Sequence, residues 1–259
     1  MIRVAVFGAL GKMGRDVVRT VLEDKDLELA ALVDAAAAQL QAPHEQVGHG
    51  LRVLRDVALV DTADVDVMVD FTVSEAAVRN IDWALDNGVH AVVGTSAIPG
   101  RDLERFKEKS DAGKGNVLIA PNFAIGAVLM MRFAVMAASV FEQCEIIELH
   151  HRGKKDAPSG TALATARMVE DAMNPSRVPH SIENEVAGAR GGALGPVRIH
   201  SVRLDGLVAH QQVIFGGMGQ TLSIRHDTTD RSCFMPGIVM AVKSIAEHPG
   251  LTIGLDNFL

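Results

Sequence analysis

The chain has 259 residues, of which 48% are hydrophobic and 22% are charged, and its formal net charge is −7. This length accommodates two compact domains, each with its own core. Because an acidic surface repels phosphate backbones and anionic lipids, the composition excludes nucleic acid and membrane surfaces as main partners and favours a small molecule.

The first half of the chain predicts alternating strands and helices. The apolar run Ile2–Phe7, bounded by glycine, predicts a strand, and apolar spacing from Lys12 to Glu23 predicts a helix. Further strands are predicted at 27–34, 65–71, 90–94 and 116–120. Continuous Val, Ile and Leu runs separated by helices are typical of a parallel, doubly wound sheet.

Two further segments complete this half. The stretch that begins at Ser74 predicts a helix with Ser74 as its N-cap and Gly88 as its C′ residue. Residues 35–62 have no clear period, so they predict a loop around a short helix.

After about residue 121 the pattern changes. Residues 144–151 predict a strand, and 162–173 contain strong helix formers that Asp156, Ser159 or Thr161 could cap. Residues 197–227 alternate polar and apolar side chains, with turn signals at Asp205-Gly206 and Gly216-Gly217, and predict an antiparallel meander. The final segment, 234–250, predicts a helix that packs back on the first sheet.

These elements predict an α/β fold with two domains. A Rossmann-like parallel sheet is expected in residues 1–121, completed by 229–259. A second α+β domain, built on a mainly antiparallel open sheet, is expected in 122–228.

A glycine-rich turn joins the first predicted strand and helix. It consists of Gly8, Ala9, Leu10, Gly11, Lys12, Met13 and Gly14. The spacing is GxxGxxG, with Leu10 where the commonest dinucleotide fingerprint has its second glycine, and a plain strand-to-helix turn is the alternative. Asp34 decides between them, because a carboxylate about twenty residues later at the end of the second strand can accept both ribose hydroxyls of an adenosine.

The same residues bear on the choice of cofactor. Asp34 repels a 2′-phosphate, and the next residue is Ala35 rather than an arginine, so NADH is favoured. Lys12 lies in the phosphate-binding turn and could reach a 2′-phosphate, which leaves NADPH possible. Its alternative role is that of an exposed lysine in the first helical turn.

Ligands of open α/β sheets bind at the carboxyl ends of the strands. The residues there include Asp70-Phe71-Thr72 and, as the candidate nicotinamide contacts, Gly94, Thr95, Ser96, Ala120, Pro121, Asn122 and Phe123. Each group taken alone is a common loop, but their shared position predicts a site, and their amides and hydroxyls suit an amide-bearing nicotinamide ring.

The stretch ELHHRGKKDAPSGTA, 148–162, contains the other candidate catalytic and substrate-binding residues. His150 and His151 end a predicted strand and would project to opposite sides, and no third ligand has suitable spacing, so no metal site is predicted. The helix that follows offers free N–H groups to a carboxylate, with Lys154 adding positive charge, although Ser159, Gly160 and Thr161 could form only a capping turn. Hydride addition to an electron-poor carbon leaves negative charge, and histidine is an apt general acid to quench it.

The chain resembles the 4-hydroxy-tetrahydrodipicolinate reductases, also called dihydrodipicolinate reductases, of diaminopimelate and lysine biosynthesis. The pattern Glu-x-His-His, lysine, Asp-Ala-Pro-Ser-Gly-Thr-Ala is met position for position. The resemblance extends through GTS at 94–96, APNFAIGAVL at 120–129, ARGG at 189–192 and HSVRLDGLVAHQ at 200–211. Two departures are Ser96-Ala97, where the family usually has Thr-Gly, and the alanine-rich segment 35–42.

This resemblance implies NAD(P)H-dependent reduction of 4-hydroxy-tetrahydrodipicolinate, via dihydrodipicolinate, to tetrahydrodipicolinate. It implies that His150 is a proton donor or acceptor, that Lys154 is a second proton donor and carboxylate contact, and that His151 touches the substrate. Gly160 and Thr161, next to Ser159, match a backbone seat for a substrate carboxylate, and the cofactor contacts match Gly8–Met13, Asp34, Gly94–Ser96 and Ala120–Phe123. Similar proteins are homotetramers that assemble through the sheet of the second domain and close on a hinge.

Two other functions stay open at this point. One is a redox sensor that binds NAD(H) without turnover, although a sensor has no use for the cluster of histidines and Lys154. The other is a related imino-acid or aspartate dehydrogenase. Three arginines of the second half, Arg190, Arg203 and Arg231, are interpreted as structural hydrogen-bond donors rather than substrate ligands.

The sequence also predicts a cytoplasmic location. Cys144 and Cys233 are too few for a disulfide framework and lack metal-site spacing, which favours a reducing compartment. The N-terminal residues read at once as a buried strand, so no signal segment is expected, and no apolar run reaches the length of a membrane span.

Overall fold

The computed structural model describes residues 1–39, 50–95, 98–173 and 186–259. These residues form two compact units. Unit 1 contains Met1–Ala124 and Phe234–Leu259, and unit 2 contains Ile125–Cys233. Both boundaries lie a few residues further along the chain than the sequence predicts.

Within the described ranges the chain forms strands, α-helices and short 3-10 segments. The strands are β1 (Ile2–Phe7), β2 (Leu27–Val33), β3 (Val53–Leu54), β4 (Val67–Asp70), β5 (His90–Val93), β6 (Val117–Ile119), β7 (Gln143–His150), β8 (Gly192–Leu194), β9 (Val197–Arg203), β10 (Ala209–Gly217), β11 (Gln220–Thr228) and β12 (Leu251–Ile253). The α-helices are α1 (Lys12–Glu23), α2 (Ser74–Asp86), α3 (Gly100–Asp111), α4 (Ile125–Ala138), α5 (Gly160–Ala172) and α6 (Met235–Ser244).

The sheet of unit 1 is parallel, with the order β12-β6-β5-β4-β1-β2-β3. From β1 the chain adds β2 and β3 on one side, and from β4 it adds β5, β6 and β12 on the other side. The strand order therefore reverses between the neighbours β1 and β4. In open sheets of this kind, ligands bind outside the carboxyl ends of the strands at such a reversal. The glycine-rich turn after β1 and the loop after β4 therefore flank the candidate nucleotide site.

Burial explains why the first elements form where the sequence predicts them. Residues Val4 to Phe7 of β1 are fully buried, as expected for a strand covered on both faces. Helix α1 buries Gly14, Val17, Val18 and Val21 along one face, which is the helical period read from the sequence. Both elements have the predicted bounds.

Of the two predictions for the ends of α2, one is wrong and one is confirmed. Ser74 is the first residue of α2 rather than its N-cap, which is Val73, and no side chain caps this helix. Gly88 follows the C-cap Asn87 with a φ of 73°, as predicted for a C′ glycine.

Elements without a counterpart in the prediction include strands β3 and β12 and helices α3 and α4. The 35–62 segment contains strand β3, and β12 follows the final helix; both are short strands at the sheet edges, where no periodicity can develop. Helix α3 is highly charged and fully buries only one large side chain, Phe106, whereas α4 is apolar on most of its surface. Helix α4 therefore lacks a distinct amphipathic stripe, whereas α3 buries one side of a mostly charged helix.

Unit 2 has a mixed, mainly antiparallel sheet with the order β11-β10-β7-β9-β8. The meander predicted for 197–227 is wrong in part, because β7 lies between β9 and β10, parallel to the former and antiparallel to the latter. The hairpin β10–β11 does form, but Gly216 and Gly217 belong to β10, and the turn follows them. The α/β fold class with two different sheets is confirmed.

Helices α4 and α5 cover one face of this sheet. Their core with the sheet contains Ala134, Ala166, Val169, Ile146, Val213 and Phe215, all fully buried. This packing fixes β7 and the start of α5 against each other, and the chain between them carries the candidate catalytic residues. Among the described helices, none has the length and apolar character that a membrane crossing requires.

Candidate active site

The glycine-rich turn leads directly into helix α1. Gly8 has a φ of +76°, in the left-handed region that favours glycine, and a Cβ on Gly14 would lie 2.0 Å from the carbonyl oxygen of Gly8. Gly11 is the N-cap and makes no side-chain capping bond, and the first turn contains no acidic residue. The N–H groups at the start of α1 are therefore suited to hold a pyrophosphate.

Asp34 follows β2 and joins this turn. Its Oδ2 accepts a hydrogen bond of 2.9 Å from the N–H of Leu10, and its Oδ1 accepts one of 2.9 Å from Ala36. The carboxylate thus holds the glycine-rich turn against the end of β2, at the edge where an adenosine ribose is expected. Lys12 is exposed in the first turn of α1.

The loops after β4 and β5 are linked through Asp70. This fully buried carboxylate accepts hydrogen bonds from the N–H and hydroxyl of Thr72, at 2.8 and 2.7 Å, and from Nδ2 of Asn80, at 2.7 Å. Thr95 donates to the carbonyl of Thr72 at 2.8 Å. Burial raises the pKa of Asp70 above its ordinary value, against the opposing effect of these bonds.

Aromatic packing joins the third of these loops. The rings of Phe71 and Phe123 are 5.8 Å apart, and a Cβ on Gly94 would lie 2.1 Å from the Phe71 ring. Ala120 is buried, Pro121 is exposed, and Oδ1 of Asn122 accepts from the N–H of Ala124. Within unit 1 the predicted cofactor contacts therefore lie on adjacent strand ends, except Ser96, which lies outside the described residues.

In unit 2, the candidate general acid is held by a buried carboxylate. His150 ends β7, and its Nδ1 lies 2.5 Å from Oε2 of Glu148, which is fully buried. Arg203, the last residue of β9, donates to both oxygens of Glu148, at 2.8 and 2.7 Å. Arg203 therefore acts as a structural donor, as the sequence predicts.

Glu148 has no predicted role, although the motif contains a signal for it. Side chains two residues apart on a strand point to the same face, so Glu148 and His150 of β7 are expected to be neighbours.

The surroundings of Glu148 and His150 shift the pKa of each side chain. Burial raises the pKa of Glu148, but hydrogen bonds from Arg203, Ser201 and His150 outweigh it, so the pKa lies below its ordinary value. Burial lowers the pKa of His150, and the charges of Lys154 and Arg203 act in the same direction against Glu148. At neutral pH we therefore expect a neutral imidazole beside an ionised carboxylate.

The segment between β7 and α5 carries Lys154. Its N–H donates to the carbonyl of His151 at 3.1 Å, which forms a turn, and its Nζ lies 2.9 Å from Oδ1 of the exposed Asp156. Arg203 also donates to the carbonyl of Asp156, at 2.6 Å. One guanidinium thus fixes both the carboxylate behind His150 and the turn that presents Lys154.

Helix α5 begins immediately after this segment. Ser159 is its N-cap, with its hydroxyl accepting from the N–H of Ala162 at 3.2 Å, so of the three proposed caps Ser159 is the one used. The N–H groups of Gly160 and Thr161 are first-turn amides, which a helix leaves without an internal partner. No atom lies within 4 Å of a Cβ built on Gly160, so the space there is open.

Unit 2 therefore brings together most of the residues that the motif predicts. His150, Lys154 and the start of α5 lie along one short segment, which also contains the exposed His151. The arrangement offers two sources of protons and a seat for an anion. Among the described residues, no three histidine, cysteine, aspartate or glutamate side chains are grouped as a metal site.

Comparison with known proteins identifies the family. The family description "dihydrodipicolinate reductase, N-terminus" matches residues 2–123, and "dihydrodipicolinate reductase, C-terminus" matches residues 126–259. A 4-hydroxy-tetrahydrodipicolinate reductase from Syntrophomonas wolfei is 46% identical, over 99% of this chain and 98% of that protein.

Solved structures extend the comparison. A dihydrodipicolinate reductase from Paenisporosarcina sp. TG-14, described with dipicolinate bound, matches over 100% of both chains with a TM-score of 0.91 and 38% identity. An aspartate dehydrogenase from Thermotoga maritima matches 94% of this chain and 96% of its own with a TM-score of 0.52 but only 11% identity, which shows a shared fold alone. With both halves matched and full-length relatives at this identity, the chain belongs to the dihydrodipicolinate reductase family, as its mid-chain motif predicts.

Proposed function

We propose that the chain reduces 4-hydroxy-tetrahydrodipicolinate, by way of the dihydrodipicolinate imine, to tetrahydrodipicolinate in lysine and diaminopimelate biosynthesis, with His150 and Lys154 as its proton donors. Its family makes the chain an oxidoreductase of this kind. The observation that supports the residue roles is the arrangement within unit 2, where the Glu148-bound imidazole, Lys154 and the open start of α5 belong to one continuous segment.

The substrate is a dicarboxylate, and the start of α5 suits one of its two charges. A carboxylate at Gly160 and Thr161 would accept their free N–H groups and lie at the positive end of the helix dipole. Lys154 supplies a full positive charge close by, and Ser159 holds the first turn in place. The dipicolinate described with the solved relative is a diacid of this class.

Reduction of a carbon–nitrogen double bond leaves an electron pair on nitrogen that requires a proton. NADH or NADPH, when bound, supplies the hydride for this reduction. Because burial lowers the pKa of His150, the imidazole must first take up a proton, and the negative charge of a bound dicarboxylate favours that uptake. One proton balances the hydride, and the imidazole delivers it to the substrate nitrogen, with Lys154 as the alternative donor of that same proton.

The cofactor-binding residues of unit 1 fit a pyridine dinucleotide. The turn Gly8–Met13 and the start of α1 would hold the pyrophosphate, Asp34 the adenosine ribose, and the loops Gly94–Ser96 and Ala120–Phe123 the nicotinamide. Asp34 favours NADH, because its carboxylate repels a 2′-phosphate. Lys12, which is exposed beside the turn, would allow NADPH as well.

Assembly and location are also proposed. We expect a homotetramer formed through the sheet of unit 2, and a cytoplasmic location.

Support for the location comes from Cys144 and Cys233, both of which are free thiols, and burial raises the pKa of Cys144 to about 12. Because the thiolate is the form that binds metals and reacts with oxidants, the buried Cys144 thiol is unreactive.

A coupled assay tests the function. The preceding synthase generates the substrate, and oxidation of NADH and NADPH is followed side by side. We expect both nucleotides to be oxidised, NADH at the lower KM. Replacing Lys12 with alanine should raise the KM for NADPH more than that for NADH, whereas Lys25→Ala, at an exposed position beyond α1, should change neither. Absence of nucleotide oxidation in the presence of active synthase would contradict the proposal.

A further inference from the structure

Glu148 is a charged side chain buried in unit 2 without any solvent exposure. Burial of an isolated carboxylate is costly unless a partner neutralises it and hydrogen bonds satisfy its oxygens. Arg203 is that partner, with one donor to each oxygen. The N–H of Ser159 adds a bond of 3.2 Å to Oε1, Nδ1 of His150 lies against Oε2, and the side chain of Ser201 also hydrogen-bonds the carboxylate.

This set of donors determines the tautomer of His150. An ionised carboxylate has no hydrogen to give and can only accept. Because Arg203 keeps Glu148 ionised, the close contact between Oε2 and Nδ1 requires that Nδ1 carry the proton. Nε2 of His150 is then the nitrogen with the free electron pair, available to take up a proton and to pass it on.

We propose that Glu148 and Arg203 form a positioning pair, which fixes His150 in the Nδ1–H tautomer so that Nε2 is the nitrogen that exchanges protons with the substrate. This inference rests on the proposed proton-donor function of His150 and deepens it. Arg203 also positions Lys154, because its hydrogen bond to the carbonyl of Asp156 holds the turn that carries this lysine. The pair acts through His150 and Lys154 and does not itself react.

A second glutamate on β7, Glu145, provides a matched control for substitution of Glu148. Glu145, earlier on β7, binds Arg190 and, at 2.8 Å, Nε2 of His200. Its environment therefore contains the same three residue types as that of Glu148. Because side chains alternate along a strand, Glu145 points to the opposite face of the sheet from Glu148 and His150.

Nitrogen-15 NMR of histidine-labelled, full-length enzyme measures the tautomer directly. In the parent enzyme at neutral pH we expect the Nδ1–H form of His150. Glutamine at position 148 has a single acceptor oxygen where the carboxylate has two, so Glu148→Gln should shift His150 towards the Nε2–H form. It should also lower kcat by about a hundredfold or more, the usual contribution of a placed proton donor, with NADH affinity unchanged.

Two further variants separate positioning from general damage. Glu145→Gln should leave kcat and the His150 tautomer at their parental values, and light scattering checks that both glutamine variants keep the parental mass. Arg203→Lys keeps a cation beside Glu148 but loses the two-point contact, so it should retain the Nδ1–H tautomer and lose less activity than Glu148→Gln.

The possible outcomes distinguish this inference from the function on which it rests. If His150→Gln loses kcat while Glu148→Gln keeps it, the positioning role alone is overturned. If His150→Gln keeps parental kcat, the proposed function of His150 fails and the positioning role fails with it. Should Glu148→Gln not fold, the parent enzyme still decides, because an Nε2–H tautomer of its His150 would overturn the inference.

Discussion

Lys154 and Lys155 are neighbours in the chain with different surroundings. Lys154 is partly buried and paired with Asp156 beside the His150 site, whereas Lys155 is exposed. Replacement of Lys154 by glutamine removes a positive charge and a proton donor, so kcat/KM should fall by about a hundredfold or more. Lys155→Gln should have no such effect. NADH affinity, followed by fluorescence titration, should be unchanged in both variants, and a parental kcat/KM for Lys154→Gln would contradict the role.

The lowered pKa of His150 leads to a second prediction. The charged groups around the imidazole are Glu148, Lys154 and Arg203, and the free protein keeps it neutral at pH 7. A bound dicarboxylate stabilises the protonated form and raises the pKa in the complex, so binding takes up a proton. Affinity should therefore increase as the pH falls through the pKa of the complex, by up to about tenfold per pH unit, and level off below the pKa of the free imidazole.

Calorimetric titration with pyridine-2,6-dicarboxylate, in buffers of different ionisation enthalpy, measures this proton uptake. The parent protein should take up as much as one proton near neutral pH. The variant His150→Gln should bind with little proton uptake in the same range. An equal uptake by both proteins would assign the titration to another group.

Residue-level roles were predictable where the sequence places them in one continuous motif. His150, Lys154 and Ser159 lie within a single segment, so their proximity follows from chain connectivity. Arg203 reaches the same place only because β9 pairs with β7, and that pairing brings distant residues together. No local pattern encodes such a contact, which explains why the sequence alone could assign Arg203 only a general structural role.

At the scale of elements, the turn from β1 into α1 is tightly packed. Gly14→Ala would place a Cβ against the backbone of Gly8, and backbone cannot rotate away as a flexible side chain can. We expect a loss of about 1–3 kcal/mol in the free energy of unfolding, together with weaker NADH binding. In Gly100→Ala the added Cβ meets no atom within 4 Å, so this variant should keep the parental free energy of unfolding and the parental NADH affinity. Chemical denaturation and NADH titration of both variants provide the test, and a fully stable Gly14→Ala would contradict this packing.

Elements with a strong local period were predictable, and those defined by distant pairing were not. The run of buried apolar residues in β1 and the apolar face of α1 determine these elements locally. By contrast, β3 and β12 are strands only because β2 and β6 offer them a free edge. The order of strands in unit 2 depends likewise on β7, whose position between β9 and β10 overrides the simpler meander that the turn signals indicate.

At the scale of the whole molecule, assembly can be tested through the sheet of unit 2. Ile147 lies on β7 on the face opposite the helix-covered Ile146, and it is partly exposed in the single chain. If the tetramer forms through this face, Ile147→Asp should reduce the mass measured by light scattering and leave the core of unit 2 intact. The matched variant Leu59→Asp, which changes an exposed leucine of unit 1, should retain the parental mass. An unchanged mass for Ile147→Asp would argue against assembly through this face.

The most direct test of the proposed chemistry is a crystal structure of the enzyme with NADH and pyridine-2,6-dicarboxylate. The predicted result has one carboxylate of the diacid within hydrogen-bond distance of the N–H groups of Gly160 and Thr161, with His150 and Lys154 in contact with the same molecule. A diacid bound elsewhere, with these four residues untouched, would contradict it.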